Sequence, residues 1–187
     1  SSSAASDVYK RQTLVSGSGI IANATAPNSA VSGLSAGANV FQWTVNNGPC
    51  TNGITTDQVT ITVFSAAAPA ANAGPDQNIC GTGTTLAGNT PLAPATGTWT
   101  LVSGTGTLAN ANAPTTAVSG LGIGQNIFRW TVNNGPCGAP TIDLMTVFVF
   151  NPGQAPANAG PDQNLCVPTT IATLAANAPT FPATGQW

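Results

Sequence analysis

The chain has 187 residues, 42% of them hydrophobic, so a packed core is within reach. Only 4% are charged, against about 25% in a typical soluble domain, and the net charge is −2 with no histidine and no glutamate. That composition gives nucleic acid or an anionic membrane no basic surface to bind, and no apolar run approaches the roughly 20 residues that span a bilayer.

The first stretch, residues 1–12 (SSSAASDVYKRQ), holds two of the three basic residues, Lys10 and Arg11, and matches nothing later in the chain. It resembles translated sequencing-adapter read-through and is expected to be non-native; a genuine basic tail is the alternative. From Thr13 onward the sequence repeats itself. TLVSGSGIIANATAPNSAVSGLSAGANVFQWTVNNGPC returns 87 positions later as TLVSGTGTLANANAPTTAVSGLGIGQNIFRWTVNNGPC. ANAGPDQNIC from Ala71 returns 86 positions later as ANAGPDQNLC, and Trp99 returns 88 positions later as Trp187. A period of 86–88 residues is too long for a helical or leucine-rich solenoid unit and fits a small all-β domain. The frame divides the chain into 13–68, the C-terminal part of a truncated repeat, 69–154, a complete repeat, and 155–187, the N-terminal part of another. The whole is expected to be a window on a longer tandem array.

Helical periodicity is absent, and short alternating runs rich in Thr, Val, Ile and aromatics recur between Gly, Asn and Pro turns. In NIFRWTV, Phe128, Trp130 and Val132 face one way and Ile127, Arg129 and Thr131 the other. The earlier copy sets Phe41, Trp43 and Val45 against Val40, Gln42 and Thr44. Gln42 becoming Arg129 marks the second face as solvent-accessible, which makes the Phe-Trp-Val face core. LMTVFVF is apolar on both faces, but its earlier copy DQVTITVF assigns Val59, Ile61 and Val63, and hence Met145, Val147 and Val149, to the core. Ile127, Leu144 and Phe148 then form a small outer patch, read either as a contact surface or as scattered surface side chains. About seven short strands per repeat predict an immunoglobulin-like β-sandwich, with core residues Trp43, Trp99 and Trp130. Asn134-Gly135 predicts a type I′ hairpin turn.

Each full repeat owns two cysteines. Pairing Cys80 with Cys137 closes a loop of 57 residues, worth about 4 kcal/mol in the chain-entropy estimate, and leaves Cys50 and Cys166 to pair outside the chain. The rival is Cys50 with Cys80 and Cys137 with Cys166, stapling adjacent repeats. Either pairing implies an oxidising, extracellular compartment. A zinc or reactive-thiol site lacks histidine and a Cys-x-x-Cys spacing.

General acid–base catalysis needs a positioned proton carrier, and the aspartates outside the first twelve residues, Asp57, Asp76, Asp143 and Asp162, are two repeat positions used twice. They lack calcium-loop spacing, and capping a turn is their expected work. The Gly-rich GTGT at Gly81 has no lysine and no following helix to hold phosphate. No cofactor, no metal and no enzymatic activity are expected.

ANAGPDQN followed by TTLAGN resembles the start of PKD-like (polycystic-kidney-disease-type) Ig-like repeats. GTWTLVSGTG, PTTAVSGLG and FRWTVNNGPC resemble the repeats of very large surface and gliding-motility-associated proteins of Bacteroidota-type bacteria. The WDFGDG-like segment of ordinary PKD domains is missing, so the narrower subfamily is the better match. The resemblance implies secreted, tandem, non-catalytic all-β modules serving as adhesin stalks or filaments at the cell surface, with other copies of the same repeat as partners. The alternative is a module that binds surface glycan through its loops. The Pro/Ala-rich linkers SAAAPAANAG and NPGQAPANAG favour semi-rigid spacing.

Overall fold

The computed structural model describes residues 9–48 and 53–187. Contacts group the chain into two units. The first comprises Ser1–Ala70, Pro91–Thr96 and Val132–Thr141; the second comprises Ala71–Thr90, Gly97–Thr131 and Ile142–Trp187. Twelve strands are present among the described residues.

The first unit holds β1 (Tyr9–Ser16), β2 (Ile20–Ile21), β3 (Val31–Ser32), β4 (Gly37–Asn46) and β5 (Ile54–Val63). β1, β4 and β5 form one antiparallel sheet in that order, and β2 pairs with β3. β5 lies at the edge of its sheet. Residues 9–12, the end of the stretch expected to be foreign, are part of β1, where Gln12 stands opposite Trp43 of β4.

The remaining strands are β6 (Gln77–Ile79), β7 (Gly83–Ala87), β8 (Thr96–Ser103), β9 (Thr107–Leu108), β10 (Thr115–Ser119), β11 (Gly124–Asn133) and β12 (Thr141–Val149). They form a four-stranded sheet, β6-β12-β11-β8, and a three-stranded sheet, β7-β10-β9. The fold is an all-β, immunoglobulin-like sandwich. Its first strand runs parallel to its last, Gln77 opposite Val147 and Ile79 opposite Val149.

Strict alternation explains how the core is filled. Along β11, Asn126, Phe128, Trp130 and Val132 are buried while the residues between them reach the surface; along β12, Met145, Val147 and Val149 are buried. Leu86 of β7 and Val118 of β10 supply core side chains from the other sheet. Trp99 of β8 lies against Trp130 with ring centroids 5.0 Å apart and a 40° tilt.

The turn after β11 differs from the hairpin expected at Asn134-Gly135. Asn134 has φ of −101°, only Gly135 takes a positive φ (57°), and 135–137 form a short 3-10 turn. A two-residue turn would have to resume the strand at Pro136, which has no N–H to give to a ladder. The chain instead takes until Thr141 to begin β12, and the Gly135 N–H is held by the Asn133 side chain at 3.0 Å.

Among the described residues the expected Cys80–Cys137 bridge is not formed: Cys80, Cys137 and Cys166 are free and exposed. The strand layout gives the reason. Cys80 follows Ile79, which pairs with the last residue of β12, whereas Cys137 precedes the first. The nine-residue strand covers about 30 Å, far beyond the Cα separation of a disulfide. Cys50 lies outside the described residues.

Candidate functional site

The sandwich shows how a Phe-x-Trp-x-Val face is covered. The Trp130 indole N–H donates to Asn89 Oδ1 at 3.1 Å, and the same oxygen accepts the Asn72 N–H at 2.9 Å. Asn89 N–H returns a bond to the Asn72 carbonyl at 2.9 Å. ANAGPDQN is thereby tied to Asn89, two residues beyond the end of β7. Asp143 Oδ2 accepts the Ala73 N–H and Asp76 Oδ1 accepts the Thr146 N–H, both at 2.8 Å, so each repeated aspartate caps backbone on the other side of the β6–β12 seam. Ala73 and Leu86 are fully buried by this arrangement.

In the first unit the equivalent face is bare. Phe41 is buried, but Trp43 is only half-buried, contrary to its expected place in the core, and its indole N–H has no hydrogen-bond partner among the described residues. Val59, also expected inside, is 58% exposed, whereas its counterpart Met145 is 1% exposed. A cleft of about 720 Å³ opens over the face, lined among others by Gln12, Val31, Trp43, Asp57, Val59 and Ile61.

Gln12 explains part of the opening. It occupies the sequence position of Trp99, and its backbone N–H reaches the Ala24 carbonyl at 2.6 Å as that of Trp99 reaches Ala111 at 2.7 Å. Its Nε2 donates to the carbonyl of Pro27 at 3.2 Å, as the Trp99 indole does to Pro114 at 3.0 Å. The polar contact is kept while the volume of the indole is missing.

Residues 157–177 carry the mirror image of this deficit. Asn158 and Asn177 repeat the Asn72–Asn89 bonds at 2.8 and 2.9 Å. No strand is formed there, however. Leu174, counterpart of the fully buried Leu86, is 62% exposed.

Of the other residues singled out in the sequence, Trp99 and Trp130 meet in the core, while Ile127 and Phe148 are half-buried and Leu144 is exposed. Phe148 packs near the rings of Phe150 and Phe181, at 5.1 and 6.4 Å. Sequence reading missed Asn39 and Asn126, two fully buried polar side chains. Asn126 Oδ1 accepts the Thr105 N–H at 2.9 Å and its Nδ2 donates to the Gly122 carbonyl at 2.8 Å. Asn39 does the same with Ser18 and Ser35, both at 2.9 Å. Their recurrence at one repeat position, on the core face of the strand, was the available signal.

Among the described residues no three His, Cys, Asp or Glu side chains are grouped to hold a metal ion, and no helix is long and apolar enough to cross a membrane. The strand order defines the class of protein: all-β, with an immunoglobulin-like sandwich. Among solved structures, the chain is similar to the PKD domain from the KIAA 1837 protein (26% identity over 50% of this chain and 92% of that one, TM-score 0.39). It is also similar to the human desmocollin-1 ectodomain (13% identity, 86% and 37%, TM-score 0.32) and to the endo-fucoidan hydrolase MfFcnA4 of glycoside hydrolase family 107 (19% identity, 76% and 23%, TM-score 0.31). The chain thus spans only about a quarter to a third of the length of the last two. At such TM-scores these likenesses carry no weight, and the class rests on the strand order itself. No family model and no curated protein matches the sequence.

Proposed function

We propose that this chain is a non-catalytic structural module of an extracellular protein, a stretch of tandem PKD-like repeats that build a stalk or filament at a cell surface. The repeats of Bacteroidota-type surface proteins are the model for it. One observation carries the reading: the recurring residues are framework residues. Asn39 and Asn126 hold the same loop, Asn72–Asn89 and Asn158–Asn177 make the same tie, and the seam aspartates Asp76 and Asp143 bond backbone. What the sequence preserves from copy to copy is the means of folding, and the composition leaves few groups for acid–base work.

Antibodies against the chain should label intact cells, and electron microscopy of the native material should show chains with axial or lateral order. Isolated, randomly bent chains would count against a filament. A glycan-binding reading has Trp43 in its favour, an aromatic ring half-exposed in a cleft. Glycan-array binding that disappears in Trp43→Ala would promote it.

A further inference from the structure

NNGPC is identical in both copies, yet it does not make the two-residue hairpin that Asn-Gly suggests. Its turn is shaped from within: the Asn46 side chain holds the Gly48 N–H at 3.0 Å, as Asn133 holds that of Gly135. That bond makes no use of the Asn134 side chain. We propose that the loop Asn134–Cys137 is a clasp for the end of the preceding repeat's last strand, Phe64 and Ser65, and that it pins the start of the linker between repeats.

The contacts that carry this all lie inside the first unit. The Phe64 ring rests on Gly135, where a Cβ would stand 2.7 Å from the ring's Cζ and 2.8 Å from its Cε1. A side chain is therefore shut out twice, by that ring and by the positive φ of 57°. Asn134 Nδ2 donates to the Ser65 carbonyl at 2.7 Å, and the Cys137 thiol donates to the Phe64 carbonyl at 3.5 Å. The Ser65 carbonyl also accepts the Ala68 N–H at 3.2 Å, so the first turn of the linker is built on the atom that Asn134 grips. Asn134 Oδ1 shows how closely the contact shuts. It is buried without a hydrogen-bond partner, the one such side-chain atom among the described residues. Burying an acceptor unpaired is unfavourable, and the ring and the short Nδ2 bond beside it offset that cost. The repeat reads the same way: Phe150 keeps the phenylalanine, whereas Asn151 stands in for Ser65. The clasp takes the ring and a main-chain carbonyl, so the side chain after the phenylalanine is free to change.

The inference rests on the reading of the chain as tandem repeats but fails separately from it. Elastase, which cuts after small residues, should cleave the full chain at the exposed Ala66 and Ala67 far more slowly than it cleaves a synthetic peptide of residues 62–72. Phe64→Ala removes the ring, and Asn134→Asp puts a carboxylate oxygen where the donor faced a carbonyl. Each should speed that cleavage about tenfold by opening the contact locally. Neither should move the near-ultraviolet signal of the Trp99–Trp130 core. A full chain cut as fast as the peptide overturns the clasp, as does either variant leaving the rate unchanged. In both cases labelling of intact cells would be unaffected, and a stalk of repeats on unclasped linkers would survive as a reading.

Discussion

Two faces in this molecule carry nearly the same side chains in the same order: Phe41, Trp43 and Val45 on β4, and Phe128, Trp130 and Val132 on β11. On β11 all three are buried; on β4 only the phenylalanine is. The strand sequence cannot be the cause, so the difference lies in what covers it: β6, β7 and Trp99 in one place, and only Gln12 and an open cleft in the other. Burial here is a property of the completed sandwich, because a sheet with one apolar face needs a second layer. A strand can be fully specified and still leave its core side chains in water.

The comparison breaks first at the tryptophans. Trp130→Ala should cost about 3–5 kcal/mol, the usual range for emptying a packed aromatic site. Trp43→Ala should cost under about 1 kcal/mol, since little is packed against that ring. Denaturant unfolding followed by near-ultraviolet circular dichroism would measure both, and equal losses would mean that the β4 face is covered after all. The seam aspartates come next. Asp143→Ala strips the Ala73 N–H of its partner and should cost about 1–3 kcal/mol. Asp57 is exposed and bonds nothing among the described residues, so Asp57→Ala should stay within about 0.5 kcal/mol. The smallest effect runs the other way. Gln12→Trp returns an indole to the cleft, within reach of the Pro27 carbonyl, and should raise the stability of the first unit by about 1 kcal/mol. No gain would show that the cleft does not match the pocket around Trp99.

What was legible in the sequence followed from periodicity. Alternation assigned Phe128, Trp130, Met145 and Val147 to one face each, because a period of two is enforced by the backbone itself, and the repeat removed the ambiguity of LMTVFVF. What was illegible depended on distance along strands or on missing neighbours. Counting cysteines could not reveal that β12 separates Cys80 from Cys137. The Asn-Gly signal of the turn was overridden by the proline that follows it. Alternation along their strands puts Trp43 and Val59 on the core face, yet the cover for that face is supplied by segments remote in sequence. Asn126 went unnoticed because a polar residue at the start of a core face looks like part of the preceding loop. Its side chain in fact replaces backbone partners that the bend from Gly122 to Gly124 leaves unpaired.

The parallel seam between β6 and β12 has a mechanical consequence. The first and last strands of the sandwich lie side by side and run the same way, so a pull on the two ends of the repeat draws them past each other lengthwise. The ladder and the two aspartate ties, Asp143 to Ala73 and Asp76 to Thr146, are then loaded together in shear, whereas a hairpin pulled at its open end gives up its bonds one after another. Under tension such a module holds until the whole seam yields at once.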